Sequence, residues 1–425
     1  METRKVKLKR EAGLFQLVAY GIGNIVGAGI YVLAGAASGI AGNAVGLAFL
    51  VGAGIALFTG LSYAELAAMY PKAASEYTYI LRAYKNKFLS FVTEWTMLIT
   101  EVVAAAAVSL GFAQYFQAIV PIPSILIAVV LLITLTLISI AGVKHSLRIN
   151  TILSIIAIIG LLIVTFAGLP KLGSVDYTSS PNGITGVLGA AALVFFAYIG
   201  FDNIANLSEE TKEPQKNLPR GLLFSVAIST IIYILVGFSA VSLVPWQTLS
   251  TVKAPLALAA SVTYGPIAFD VLTVAALLTT FNTALVLLIV ASRIMYGMSR
   301  AGVLPTRLGR VNKKTHTPIY ASLLALIVAL IFIPIGNVGK VAEVTSFGSL
   351  IVFALINLAM MHLRRSQPNA RRPFKAPFSI KWLSITGLIG LVSSIALLTQ
   401  FGFESVILGL SLPISGCLVF YLLNK

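Results

Sequence analysis

Apolar residues run along this chain in stretches of helical length, separated by short polar segments, from one end to the other. Twelve such stretches fall near residues 14–39, 43–69, 88–117, 123–142, 149–168, 184–206, 219–243, 266–298, 318–335, 343–363, 382–401 and 404–423. At 1.5 Å per residue, each approaches or exceeds the roughly 30 Å of a bilayer's hydrocarbon core. None shows the two-residue alternation of an outer-membrane barrel strand. The pattern predicts an all-α polytopic membrane protein with no soluble domain between its spans. Two linkers, "PKLGSVDYTSSPNG" (170–183) and "SQPNARRPFKAPFS" (366–379), are rich in turn formers, and the second sets ten spans apart from a final pair.

Two of the ten spans are interrupted. Span 1 carries "GNIVGAG" (23–29), and span 6 carries "FFAYIGFDNIAN" (195–206), where a glycine and an Asp–Asn pair follow aromatic residues. Interrupted helices five spans apart, one entering from each side, are what an inverted repeat of five helices produces. The binding sites of secondary transporters form at such breaks. Half-helix ends there leave N–H and C=O groups without backbone partners, which a ligand can satisfy. The competing reading of span 1 is a packing face of small residues from Gly23 to Gly27.

Composition agrees with a bilayer. Of 425 residues, 58% are hydrophobic and 10% charged, with a mean hydropathy of +0.95, against roughly 25% charged in soluble domains. The net charge of +16 reads as topology rather than nucleic-acid binding. With twelve spans and the N-terminus inside, all Lys and Arg except Lys171, Lys253 and Lys340 fall on the cytoplasmic side. A multi-pass protein of the cell membrane with both termini cytoplasmic is expected, as monomer or homodimer, with no cleavable signal after "METRKVKLKR". The single cysteine, Cys417, supports neither a disulfide framework nor a thiolate metal site. No HExxH, GxSxG or GxxxxGK[ST] motif occurs, and His145, His316 and His362 avoid the span interiors, so an intramembrane enzyme is disfavoured. An amino-acid sensor would usually add a soluble signalling domain.

Four motifs in register resemble the amino acid–polyamine–organocation permeases. They are "GIGNIVGAGIYVLAG" (21–35), "SYAELAAMYPKAASEYTYILRAY" (62–84), "FFAYIGFDNIANLSEETKEPQKNLPRGL" (195–222) and "ASRIMYGMSRAGVLP" (291–305) followed by "THTPIYA". The resemblance covers nearly the whole chain. It implies the leucine-transporter-type fold: one five-helix repeat in 1–170, an inverted second in 184–365, and two peripheral helices in 380–425. It also implies free amino acids as substrate, no cofactor beyond a coupling proton or sodium ion, and spans 1, 2, 6 and 7 rocking against spans 3, 4, 5, 8, 9 and 10.

The residues give such a site a physical basis. N–H groups of Gly27, Ala28 and Gly29 fall at a half-helix N-terminus, favourable for a carboxylate, with the Ile25 carbonyl beside them. Carbonyls of Phe196, Ala197 and Ile199, released in span 6, suit an ammonium group. The substrate side chain is expected among Tyr198, Phe201, Thr100, Glu101 and Ala104, with Phe201 as a gate aromatic. Glu65 and Arg293 are candidates for a cytoplasmic ion pair, Asp202 for holding the inner half of span 6, and Asp270 and Glu404 for pairing at the interface.

One departure from the family bears on coupling. Cationic-type members of the family carry a lysine in span 5, and "RINTILSIIAIIG" (148–160) puts Ala157 there. The span 3 glutamate of such members is matched by Thr100, with Glu101 next to it. Three mechanisms stay open: proton coupling through buried Glu101, a sodium ion at Asn282 and Thr283 of span 8, and uncoupled exchange. A neutral or broad substrate range fits an apolar lining, and a cationic range fits a pocket that Glu101 faces.

Overall fold

The computed structural model describes residues 12–71, 75–141, 147–207, 211–312, 315 and 317–423. The basic N-terminal stretch, Glu209 and Glu210 of the span 6–7 loop, His145 and His316 lie outside the described residues. Helices dominate. In chain order they are α1 (Leu14–Ile25), α2 (Ala28–Ala41), α3 (Val45–Met69), α4 (Ser75–Tyr84), α5 (Lys87–Phe116), α6 (Ser124–Ile140), α7 (Leu147–Gly168), α8 (Gly183–Val194), α9 (Asn203–Asn206), α10 (Pro214–Leu243), α11 (Trp246–Thr251), α12 (Pro255–Tyr264), α13 (Pro266–Arg300), α14 (Ile319–Phe332), α15 (Val338–Ser366), α16 (Ile385–Leu398) and α17 (Phe403–Leu423). A two-stranded antiparallel hairpin, β1 (Ser379–Ile380) with β2 (Leu383–Ser384), precedes α16. Eight helical stretches are long and apolar enough to cross a membrane, and five further apolar helices are shorter.

Both interruptions lie inside the glycine-bearing stretches. The first span breaks at Val26 and Gly27, between α1 and α2. Its halves of 12 and 14 residues measure about 18 and 21 Å, so only together can they cross a roughly 30 Å core. The sixth span runs from α8 through a tightened 3₁₀ turn, Phe195–Tyr198, into an extended Ile199. Gly200 follows with φ +113°, a conformation that side chains rarely adopt. The Asp202 carboxylate accepts the Gly200 N–H at 3.0 Å and pins the turn before α9 begins. Asp202 thus holds the break itself and does not cap the short helix after it.

The helices pack into two groups. In one, α3 lies along α10, with α1 and α9 on α10 and α2 on α8. In the other, α5 is central, flanked by α13, α15, α6, α14 and α17. The apolar stretch of α5 is 94% buried, against 17% for α17, which places α17 at the lipid face. Helix α7 touches α1 and α10 as well as α13, and α16 touches α3 as well as α15, so both bridge the groups. Three helices arise where the sequence pattern predicts loops: α4, α11 and α12. Helix α4 is amphipathic, burying Ser75, Glu76, Tyr79, Ile80 and Ala83. It is too short and too polar to register as a span.

The expected Glu65–Arg293 pair does not form. Glu65, fully buried on α3, is chelated by Arg364 of α15, whose Nε donates at 2.9 Å and whose Nη2 donates to the second oxygen. Arg372 Nε approaches Glu65 at 3.2 Å and the Ala376 N–H donates at 2.8 Å. Arg293 is exposed. A buried carboxylate is tolerable when charges and hydrogen bonds surround it, and the basic stretch after α15 supplies both. Lys340 and Glu404 form an exposed pair that joins the starts of α15 and α17. His362 is exposed and lies against the Tyr84 ring, 4.9 Å between centroids.

Candidate functional site

A cavity of about 40 Å³ sits between the two helix groups, where both broken spans meet α5 and α13. Its walls include Ile25, Gly27, Ala28 and Gly29 from the first break and Phe196, Ala197 and Ile199 from the second. Ala104 of α5 and Asn282 and Thr283 of α13 face them. At one probe-sphere volume per water the space holds about three waters, so an amino acid enters only if the walls part.

The start of α2 approaches the sixth-span break so closely that a Cβ on Gly29 would stand 2.5 Å from the Ala197 Cα and 2.7 Å from its Cβ. The glycine is therefore a packing necessity as well as a helix-start residue. Gly29 and Ile30 occupy the second and third positions of α2, where N–H groups have no partner inside the helix. Ala28 N–H donates to Thr283 Oγ1 at 3.2 Å, and that hydroxyl donates on to Thr279 O at 2.9 Å. Gly27 N–H turns back to Ile25 O at 2.8 Å.

The carbonyls expected to be free are largely engaged. Tyr233 of α10 donates its hydroxyl to Ile25 O at 2.5 Å and lies 3.0 Å from Ala197 O, bridging the two breaks. With Gly27 N–H, this gives Ile25 O two donors, the full capacity of a carbonyl. Phe196 O accepts Ile199 N–H at 3.3 Å.

Several sequence-selected side chains stand elsewhere. Tyr198 is turned away from the cavity and donates to Phe49 O at 2.9 Å. Phe201 is buried against Tyr63 and Phe353, with centroids 5.7 and 5.2 Å away. The aromatic at the cavity is Phe196, on the other side of the break from Phe201. Thr100 bonds Thr96 O at 2.7 Å and abuts Gly348 of α15. Ala157 is fully buried in α7, and its carbonyl accepts the Tyr31 hydroxyl at 2.6 Å. Glu101 does not line the cavity. It is 1% exposed, one turn along α5 from Ala104, with Asp202 and Asn203 beside it. Asn203 is the polar side chain next to it, and no cation pairs with it among the described residues.

The cavity is completed by residues outside the sequence-selected set: Asn24, Asn203, Val286 and Leu287. Val286 and Leu287 follow Asn282 and Thr283 by four residues, the spacing of one helix face. Among the described residues nothing charged lines the space. Among the described residues no group of His, Cys, Asp and Glu could hold a metal ion.

Broken helices that meet at a small cavity lined by main-chain groups, amides and apolar side chains are the arrangement of a membrane permease. Residues 13–414 match the family model described as amino acid permease, and the chain belongs to that family. It is 30% identical over 440 residues to the branched-chain amino acid permease BcaP of Bacillus subtilis (strain 168), covering 98% of this chain and 94% of the relative. The methylthioribose transporter of the same organism is 30% identical over 399 residues, 89% of this chain and 86% of the relative. Cationic amino acid transporter 1 of Arabidopsis thaliana is 30% identical over 376 residues, 84% of this chain and 63% of the relative.

Proposed function

We propose that the chain is a secondary transporter of neutral amino acids, aliphatic ones above all, that works by alternating access. Its substrate carboxylate lies at the start of α2, on the N–H group of Gly29 and on those of Gly27 and Ala28, which must leave Ile25 O and Thr283 Oγ1 as the walls part. Its ammonium lies at the sixth-span break, near the Phe196, Ala197 and Ile199 carbonyls. The reading includes twelve spans in two inverted repeats, 1–170 and 184–365, and both termini in the cytoplasm. The single observation that carries the substrate class is the lining: main-chain groups, asparagines, a threonine and apolar side chains, with no charge. A zwitterion bound there meets polar partners at its backbone and hydrocarbon at its side chain. A lysine or arginine side chain would bury an unpaired cation. The name of the branched-chain relative agrees with this class.

Proton coupling is the second part of the proposal, with Glu101 as the carrier. Buried, with no cation paired to it among the described residues, its carboxyl is costly to keep charged unless water reaches it. Opening the cavity toward one side would let it release the proton, and closing would require it back. A sodium ion at Asn282 and Thr283 is the weaker alternative. The neighbouring Ile25 carbonyl already takes two donors, and the Thr283 hydroxyl is held between Ala28 N–H and Thr279 O.

Thermal unfolding of the purified chain against a panel of amino acids tests the substrate class. A ligand at 100 times its Kd stabilises by about 2.7 kcal/mol. Leucine, isoleucine, valine and alanine should stabilise. Lysine, arginine and the matching amines and keto acids, which lack one backbone charge, should not. Stabilisation by arginine alone, or by a decarboxylated amine as well as by leucine, would overturn the proposal.

A further inference from the structure

A second cavity, about 380 Å³, opens on the lipid-facing surface between α7 and α13. Its walls are Ile156, Ile159 and Ile163 on α7 and Val271, Val274 and Leu278 on α13. Its floor is formed by Gly160 and Ala275, both buried. Among these hydrocarbon side chains stands one carboxylate, Asp270, exposed at the rim four residues from the start of α13. It forms no ion pair among the described residues. An acidic group at the mouth of an apolar groove, with no cation beside it among the described residues, is a functional candidate.

Dimensions select the occupant. From Asp270 to Leu278 the groove runs about 12 Å along α13, and from Ile156 to Ile163 about 10 Å along α7. Either length is less than half of a roughly 30 Å hydrocarbon core. A transmembrane helix would need a seat running through both leaflets. An acyl chain needs one leaflet, with its headgroup at the end of the groove, where Asp270 stands. A carboxylate at that depth repels phosphate and attracts ammonium.

We propose that this groove binds a phospholipid with an ammonium headgroup, of the phosphatidylethanolamine type, its acyl chain lying between Ile159 and Val274 and its ammonium on Asp270. The site is separate from the substrate cavity and does not depend on what the protein transports.

Native mass spectrometry of the full chain in detergent, titrated with phosphatidylethanolamine or phosphatidylglycerol of matched chains, reads the site. The first ethanolamine-lipid adduct should appear at about tenfold lower concentration than the glycerol-lipid adduct. Asp270→Asn should erase that difference while both lipids still bind. Ile159→Trp, which fills the groove from a side chain now facing lipid, should remove the first adduct of either lipid. Equal retention of the two lipids by the unmodified chain would overturn the proposal. So would a preference that survives Asp270→Asn, adducts that survive Ile159→Trp, or a protein dimer in place of the lipid adduct. Amino-acid uptake by both variants reports that they are folded.

Discussion

Replacing Tyr233 by phenylalanine removes one oxygen and leaves the ring where it is, packed against Phe49 and Tyr198 at 5.6 and 5.2 Å between centroids. That oxygen bridges the two helix breaks, 2.5 Å from Ile25 O and 3.0 Å from Ala197 O. The two oxygens share the one hydroxyl proton, and Ile25 O keeps the Gly27 N–H after the change, so the main loss falls on Ala197 O. A buried carbonyl left without its donor costs about 1–3 kcal/mol. With one of two carbonyls still satisfied, the lower part of that range applies, about 1–2 kcal/mol. If the bridge holds the breaks at the spacing an amino acid requires, the same energy appears as weaker binding, roughly five- to thirtyfold. The assay is thermal unfolding of the Tyr233→Phe chain in detergent, with and without leucine. The opposite result is informative: phenylalanine exposes Ala197 O to an incoming ammonium. Unchanged stability together with equal or tighter leucine binding would refute the bridging role.

Two further changes test the packing around the site. Gly29→Ala places a methyl within 2.7 Å of two Ala197 carbons, and overpacking of that kind costs roughly 1–3 kcal/mol; uptake should fall with stability, whereas Gly189→Ala, whose methyl meets only Ile40 Cγ2 at 3.6 Å, should change neither. Glu65→Gln strips the charge from a buried carboxylate that neutralises Arg364 and Arg372, and should lower unfolding stability by about 3–5 kcal/mol; a loss below 1 kcal/mol would mean that the cluster is solvated.

The parts of the fold that could be read from the sequence are those written locally. Glycines clustered with Asn24 in the first span, and Gly200 with Asp202 and Asn203 in the sixth, mark backbone that leaves the helix, and the chain does leave it at Val26–Gly27 and at Ile199–Gly200. The cavity faces of these breaks followed. Facing on α5 did not, because neighbouring residues differ by about 100° around a helix. Ala104 meets the cavity, while Thr100 meets α15 and Glu101 meets Asn203. Tyr233 lies in an unbroken apolar run, "TIIYILVG", where nothing local distinguishes it from a core tyrosine. The partners of Glu65 lie on α15 and the stretch after it, so no short motif could name them. Helix α12 was hidden because its ten residues are fewer than a span needs and are bounded by Pro255 and Gly265.

The proposed mechanism is proton-linked transport of a neutral amino acid with Glu101 as the carrier. Its most direct measurement is uptake of labelled leucine into sealed, sodium-free proteoliposomes, with and without an inward proton gradient, for the unmodified chain and for Glu101→Gln. The gradient should accelerate uptake by the unmodified chain severalfold. Glu101→Gln, which keeps the shape of the side chain and cannot release a proton, should still exchange leucine against leucine loaded inside but lose all response to the gradient. Uptake by the unmodified chain that ignores the gradient, or a Glu101→Gln chain that still responds to it, would contradict the claim.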